Sequence, residues 1–366
     1  MRPRSRQSQS SSRSQRPIKQ SPSYPWSIGQ IATLSIILEA SSRKAGNVFP
    51  GVSFSDMHYE DFVRSAMAIG PVLDQAGRVG TGRLIYRAVE ATRSSVGINT
   101  NLGTLLLLVP MAVALHQSQQ AQNKQASNKQ ASNKQASNKQ ASNKQASNKQ
   151  APNKQLQTVT PSQLKNATRK VLQQLDKSDS QWVYKAIVLA SPGGLGSSDK
   201  MDVRNSKAPD DLLEAMRLAS PLDWIARSYA NNFEELFQEI APAILQEVQD
   251  CGDTSEGVRR FQVRWLAKHG DSLVLRKQGE HENQQLMLRA AKVASALDAL
   301  SDQERQQLVV AQFEKQWLQL DRWLRAKGNR RNPGTTADLI AAALFVLLAT
   351  DQLTYSSSAS PVGRAN

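Results

Sequence analysis

The feature that most constrains this chain is one apolar period that persists along it. Leu222, Ile225, Tyr229, Phe233, Leu236 and Ile240 follow one another at spacings of 3, 4, 4, 3 and 4 residues, the signature of a helix with one buried face. Leu286, Ala290, Val293, Leu297 and Leu300 repeat it, as do Val309, Phe313, Trp317, Leu320 and Leu324. Nearer the start, Ile31, Leu34 and Leu38 mark a first helix, Phe62, Ala66 and Ile69 a second, and Leu84, Ile85, Ala88 and Val89 a third. Trp182, Ala186, Ile187 and Ala190 mark another, leading into a Pro192-Gly193-Gly194-Leu195-Gly196 loop. No run alternates with period two over a strand's length, so the expected fold is all-α, a single multi-helix globular domain over residues 26–355.

Two segments stand outside that period. Residues 1–25 hold Arg2, Arg4, Arg6, Arg13, Arg16 and Lys19 among Ser and Gln, with no acid. Without an amphipathic apolar face to accompany the arginines, a disordered tail is expected there rather than a transit peptide, and a second disordered tail is expected over 356–366. Residues 117–160 carry a low-complexity insert in which Asn-Lys-Gln recurs seven times, from Asn123 to Asn153. Its Ala residues, five apart, turn about 140° around a helix and form no stripe that could pack. Its Lys residues have no acid at helical spacing. A mobile loop or frayed helix with no catalytic role is expected, since added loop length costs little entropy.

These appendages supply thirteen positive charges of the formal +15. The high net charge therefore says little about the folded part, and no aromatic residues interleave with it to stack bases, which argues against nucleic-acid binding as the main role. The single cysteine, Cys251, excludes an internal disulfide and fits a reducing cytoplasm, and four histidines with no Cys pair argue against a zinc cluster. The apolar runs 105–115 and 339–349 fall short of the roughly 20 residues that span a bilayer, and read as buried helices with no membrane partner.

Four polar clusters interrupt the helices. Gly97-Ile98-Asn99-Thr100-Asn101-Leu102-Gly103 reads as an Asn-capped turn or as an anion dock at a helix start. Glu90 precedes Gly97 by seven residues, which would share its face if the helix continued. Glu39 followed by Arg43-Lys44-Ala45-Gly46-Asn47-Val48 reads as ordinary capping, or as a phosphate grip by Lys44 with Glu39 on the same cleft. In the loop that follows, Asp56 reads as a helix cap or a metal ligand. His269-Gly270-Asp271-Ser272, followed by Arg276 and Lys277, fits dipole matching at a helix start. In Arg330-Arg331-Asn332-Pro333-Gly334-Thr335-Thr336-Ala337-Asp338, Thr335 and Asp338 have capping-box spacing, while two arginines beside a Gly-Thr-Thr helix start also suit phosphate. Four such clusters on apolar helices point to one shared polar cleft.

In content and order these clusters resemble the triphosphoribosyl-dephospho-CoA synthase family, over residues 31–116 and 162–349. This chain departs from the family pattern at Ala45, where Pro is usual, at Ser272-Leu273, where Thr-Asn is common, and at Lys277-Gln278, which interrupts a Gly pair. The resemblance implies transfer of the 5-triphosphoribosyl group of ATP to 3′-dephospho-CoA with release of adenine. It implies nucleotide and phosphate contacts from Lys44, Gly46, Asn99, Thr100, Asn101, Gly103, Arg276, Arg330, Arg331, Gly334, Thr335 and Thr336. Acid–base and charge-stabilising work would fall to Asp271, Asp338, Glu90 and Glu39, with roles among them open, and Mg²⁺ to Asp56 and Asp271. Two rivals stand beside this reading: the same ribosyl transfer to another cofactor precursor, for example in one-carbon metabolism, and a non-catalytic nucleotide-binding protein.

Overall fold

The computed structural model describes residues 26–140, 158–190, 209–299 and 306–353. The tails, the later repeat units, Leu300 and the Pro192–Gly196 loop lie outside them.

Helix α1 (Ile28–Ser41) starts at a reciprocal capping box between Ser27 and Gln30, with bonds of 3.1 and 2.8 Å. Helix α2 (Tyr59–Leu73) packs closely on it, because a Cβ at Gly29 would collide with the Gly70 carbonyl. Helix α3 (Thr81–Val96) ends at Gly97, whose φ of 75° is the left-handed stop that glycine takes without strain. Helix α4 (Leu102–Gln140) begins five residues later and buries Leu105, Leu107, Leu108, Val109 and Met111 completely.

Past the apolar run α4 does not stop. Four of the seven Asn-Lys-Gln units lie in the helix, so of the two expected forms, mobile loop or frayed helix, the segment is helical as far as Gln140. Ala, Lys and Gln are strong helix formers, and extending a helix already nucleated in the core costs far less than starting one. The continuation also makes Leu102–Gln125 long and apolar enough to cross a membrane by length and composition, although 67 % of an apolar 18-residue stretch within it is buried inside the protein.

Helices α5 (Pro161–Gln173), capped by Thr160, and α6 (Lys177–Ala190) return against α4 and α3. After α7 (Leu212–Ala219) comes α8 (Trp224–Ala230). The single helix expected over Leu222–Ile240 is broken here. Asn232 and Phe233 have φ of 58° and 61°, and Leu236–Ile240 is wound as a π-helix. The extra residue in the π turn brings Phe233, Leu236 and Ile240 back to the core face, so the apolar spacing survives a break that it does not reveal. Leu222 falls outside the helix and is 65 % exposed.

Helices α9 (Ala241–Cys251), α10 (Thr254–His269), α11 (Ser272–Gln278), α12 (Glu280–Asp298) and α13 (Gln306–Arg325) follow. A 3-10 turn, Gly328–Arg331, then leads into α14 (Gly334–Ala349), which is buried almost all round. Among the described residues there is no strand, only isolated bridges such as Phe49–Val52 and Phe54–Met57. Ser27–Thr354 makes one compact unit.

Two hydrophobic clusters fill it. The larger joins α1–α10 to α14; the smaller joins Ala45 and Phe49 to the inner faces of α10–α13, so that α10 contributes to both. A buried Leu or Phe contributes about 1.5–3 kcal/mol, so both clusters are substantial. Where they meet, the N-terminal turn of α14 touches α11 and α4, and the polar residues gather along that seam.

Candidate active site

Asp338 sits one turn into α14. Its Oδ1 accepts a hydrogen bond from Thr104 Oγ1 at 2.6 Å, and its Oδ2 lies against Gly103, where a Cβ would collide with it. The lack of a side chain at Gly103 is therefore what lets this carboxyl press against α4. Asp338 is half-buried, retaining some solvent access while densely surrounded by protein. Desolvation by that surround, reinforced by the charges of Glu39 and Asp271, pushes its pKa up to about 7, with the Thr104 bonds opposing. The Thr335–Asp338 capping box does not form. Thr335 already lies inside the helix, and the cap comes from another element.

That cap is Asp271. Its Oδ1 accepts from the backbone N–H groups of Leu273 (2.9 Å) and Val274 (3.1 Å), capping α11 as the sequence suggested. Its Oδ2 accepts from Thr336 N (2.8 Å) and Thr336 Oγ1 (2.7 Å), capping α14 as well. At 1 % exposure its carboxylate is raised in pKa by burial, which these four bonds oppose. The Asp271 N–H is held by Asn283 Oδ1 at 2.9 Å.

Glu39 and Lys44 form a buried pair, Nζ to Oε1 at 3.0 Å. The Lys44 ammonium also donates to the carbonyls of Ser42 (3.1 Å) and Glu39 at the end of α1. Its three protons thus have three partners within the protein, and it is not turned toward a phosphate. Burial pushes the Glu39 pKa up and that of Lys44 down, each opposed by its partner's charge. Gly46, with φ of 73°, donates its N–H to Asp321 Oδ1 at 2.8 Å, and a Cβ there would strike Leu324. Its role is to shape the turn after α1.

The Asn-Thr-Asn turn is equally occupied. Asn99 Oδ1 accepts from Leu102 N at 3.0 Å, while Thr100 Oγ1 and Asn101 Nδ2 reach Ser65 Oγ on α2 at 2.9 and 2.7 Å. These are cap and cross-helix bonds. Glu90 is exposed on α3 and takes no part in the cluster. A surface depression of about 160 Å³ lined by Val89, Thr92, Arg93, Asn99, Leu102, Leu105 and Ala190 shares only Asn99 with the expected site and is too small for a nucleotide.

Of the expected cations, Arg331 is buried in an ion pair with Glu282 (2.8 Å) and lies over Trp323 at 4.0 Å, so it braces the turn before α14. Arg276 pairs with Asp223 within the field of Asp338. Burial lowers the Arg276 pKa and Asp338 raises it. Arg330 is exposed and unpaired among the described residues. Gly334 admits Leu273 of α11 close to the start of α14.

Sequence reasoning missed several partners. Thr104 adjoined the Gly97–Gly103 motif but was not read with it. Gln262, fully buried on α10, carried the signal of an amide on an apolar face. It accepts from Ala45 N (2.8 Å) and donates to Ala45 O (3.0 Å) and Asn47 Oδ1 (2.9 Å). A proline at 45 could not make the first bond, so the departure at Ala45 is matched by Gln262 within the fold.

Asp56 is exposed, bonded to Asn329 Nδ2 at 2.7 Å, and α2 is capped at His58 instead. With Asp271 spending both oxygens on caps, the expected Mg²⁺ pair is not assembled. Among the described residues no group of three or more His, Cys, Asp or Glu side chains is placed to hold a metal ion.

What the structure brings together is thus Asp338, Asp271, the Glu39–Lys44 pair, Arg276 and the start of α14. A family model described as ATP:dephospho-CoA triphosphoribosyl transferase (CitG) matches residues 25–357. The chain belongs to that family. It is accordingly a transferase, and the match spans the repeat as well as the helices on either side of it. Among solved structures, a "putative triphosphoribosyl-dephospho-coA synthase" from Archaeoglobus fulgidus is similar at 20 % identity and a TM-score of 0.49, over 78 % of this chain and 97 % of that one. No curated protein matches.

Proposed function

We propose that this transferase moves the 5-triphosphoribosyl group of ATP onto a ribose hydroxyl of 3′-dephospho-CoA, and that Asp338 carries the proton between the two substrates. The substrates follow the family description. The observation that supports the proton role is a half-buried carboxyl group whose pKa is pushed up to about 7.

In this reaction the bond between the ribose C1′ and adenine N9 breaks, and a bond from C1′ to the acceptor oxygen forms. The acceptor hydroxyl loses one proton and the departing adenine gains one. A single group titrating near neutrality can take the first and return it to the second. The other carboxylates suit the task less well: Asp271 has all its hydrogen bonds committed to two helix starts, and Glu39 is held on Lys44. Asp271 instead sets the position of α14 and hence of Asp338. The ribose passes through an oxocarbenium-like state, which a nearby carboxylate favours. With the Thr336 N–H at the start of α14 taken by Asp271, the triphosphate is assigned to the exposed cation Arg330 beside that helix start. Because no metal-ligating group is assembled among the described residues, no step is assigned to Mg²⁺.

The test is adenine release from ATP, followed by chromatography with and without dephospho-CoA. Acceptor-dependent release is expected, and its loss in Asp338→Asn. ATP left intact by cooperatively folded protein in the presence of dephospho-CoA and Mg²⁺ would refute the reading, and a mass-spectrometric acceptor panel would then identify any other acceptor.

A further inference from the structure

Lys277 follows Arg276 in the last turn of α11. Arg276 is tied to Asp223, but the Lys277 ammonium has no hydrogen bond or ion pair among the described residues. It is half-buried, and the charges acting on it are Asp271, Arg276 and Asp56. Burial pushes its pKa down, and the charges of Asp271 and Asp56 oppose this through space, without a hydrogen bond or ion pair to the ammonium. Neither carboxylate hydrogen-bonds it: Asp271 caps two helices and Asp56 bonds Asn329.

The surroundings favour an anion. The Gly328–Arg331 turn packs on α11 and carries the unpaired Arg330. The first turn of α14 packs on α11 too.

Resting on the reading that the site takes ATP, we propose that Lys277, with Arg330 on the neighbouring turn, grips the polyphosphate of ATP and so sets the affinity of this chain for the triphosphate. An ammonium offers three donors and a point charge to phosphate oxygens, and the bound anion supplies the partner that the folded protein lacks.

The test uses the full chain, with calorimetric titration of inorganic tripolyphosphate and separate KM values for ATP and dephospho-CoA, on the parent, Lys277→Met and Lys277→Arg. In Lys277→Met, tripolyphosphate binding should weaken and the ATP KM rise, each tenfold or more, with the dephospho-CoA KM and kcat within twofold. Lys277→Arg should restore most of the loss. Thermal unfolding should remain cooperative, and Lys277→Gln serves in its place if Met does not fold. No binding of tripolyphosphate to the parent, equal binding to both proteins, or a loss confined to the dephospho-CoA KM would each overturn the proposal. If adenine is never released but tripolyphosphate binding still depends on Lys277, the transferase reading falls and this one stands.

Discussion

Asp338→Asn removes a charge that the folded protein resists holding, so the variant should be more stable than the parent at high pH while losing activity. The carboxyl titrates at about 7 in the folded chain, against roughly 3.9 in an unfolded one. Below pH 4 both states keep the proton and the group costs nothing. Between about pH 4 and 7 the unfolded chain releases the proton while the folded chain retains it, so stability falls as pH rises. Above 7 the loss is complete. At about 1.4 kcal/mol per pKa unit it approaches 4 kcal/mol, and partial solvent access reduces this to about 2–4 kcal/mol. Asn preserves the shape and still accepts the Thr104 hydroxyl. Urea unfolding of both proteins at pH 5 and pH 8 measures the effect. The advantage of the variant should grow by about 1–3 kcal/mol between the two pH values, because about a third of the loss is already present at pH 5. An advantage that does not change with pH would refute a raised pKa, and undiminished adenine release would refute the proton role.

Three further outcomes follow from the same geometry. Gly103→Ala should displace the Asp338 carboxyl, costing about 1–3 kcal/mol by overpacking and most of the activity, measured by denaturant melts and adenine release. Lys44→Met should cost about 3–5 kcal/mol in a urea melt by leaving Glu39 buried without its partner, and adding Glu39→Gln should recover much of it. Glu282, whose pKa is drawn down to about 2 by Arg331 and Lys327, gives the opposite pH dependence to Asp338. Its contribution is present above the unfolded pKa near 4.3 and lost as pH falls toward 2, so Glu282→Gln should cost about 1–2 kcal/mol at pH 7 and little at pH 2.

The helices were legible because a buried face imposes its period on the sequence, as at Leu84, Ile85, Ala88 and Val89, all buried in α3. The break at Asn232–Phe233 was not, since a π turn restores the apolar face that the break disturbs. The site was legible as a set of clusters but not as a set of partners. Asp271 and Thr336 are 65 residues apart, and Thr104 and Asp338 are 234 apart. Local spacing therefore offered Thr335 as the partner of Asp338, and only tertiary packing replaced it with Thr104. Lys44 and Arg331 looked like free cations because nothing in the sequence marks Ser42 O or Glu282 as their acceptors.

One carboxylate, Asp271, fastens the starts of α11 and α14, and those two helices belong to different hydrophobic clusters. It therefore acts as a latch across the line along which the protein would part. A substrate as bulky as a nucleotide has to be admitted beside that latch, so the free energy that guards the fold at this seam also sets how readily the site opens.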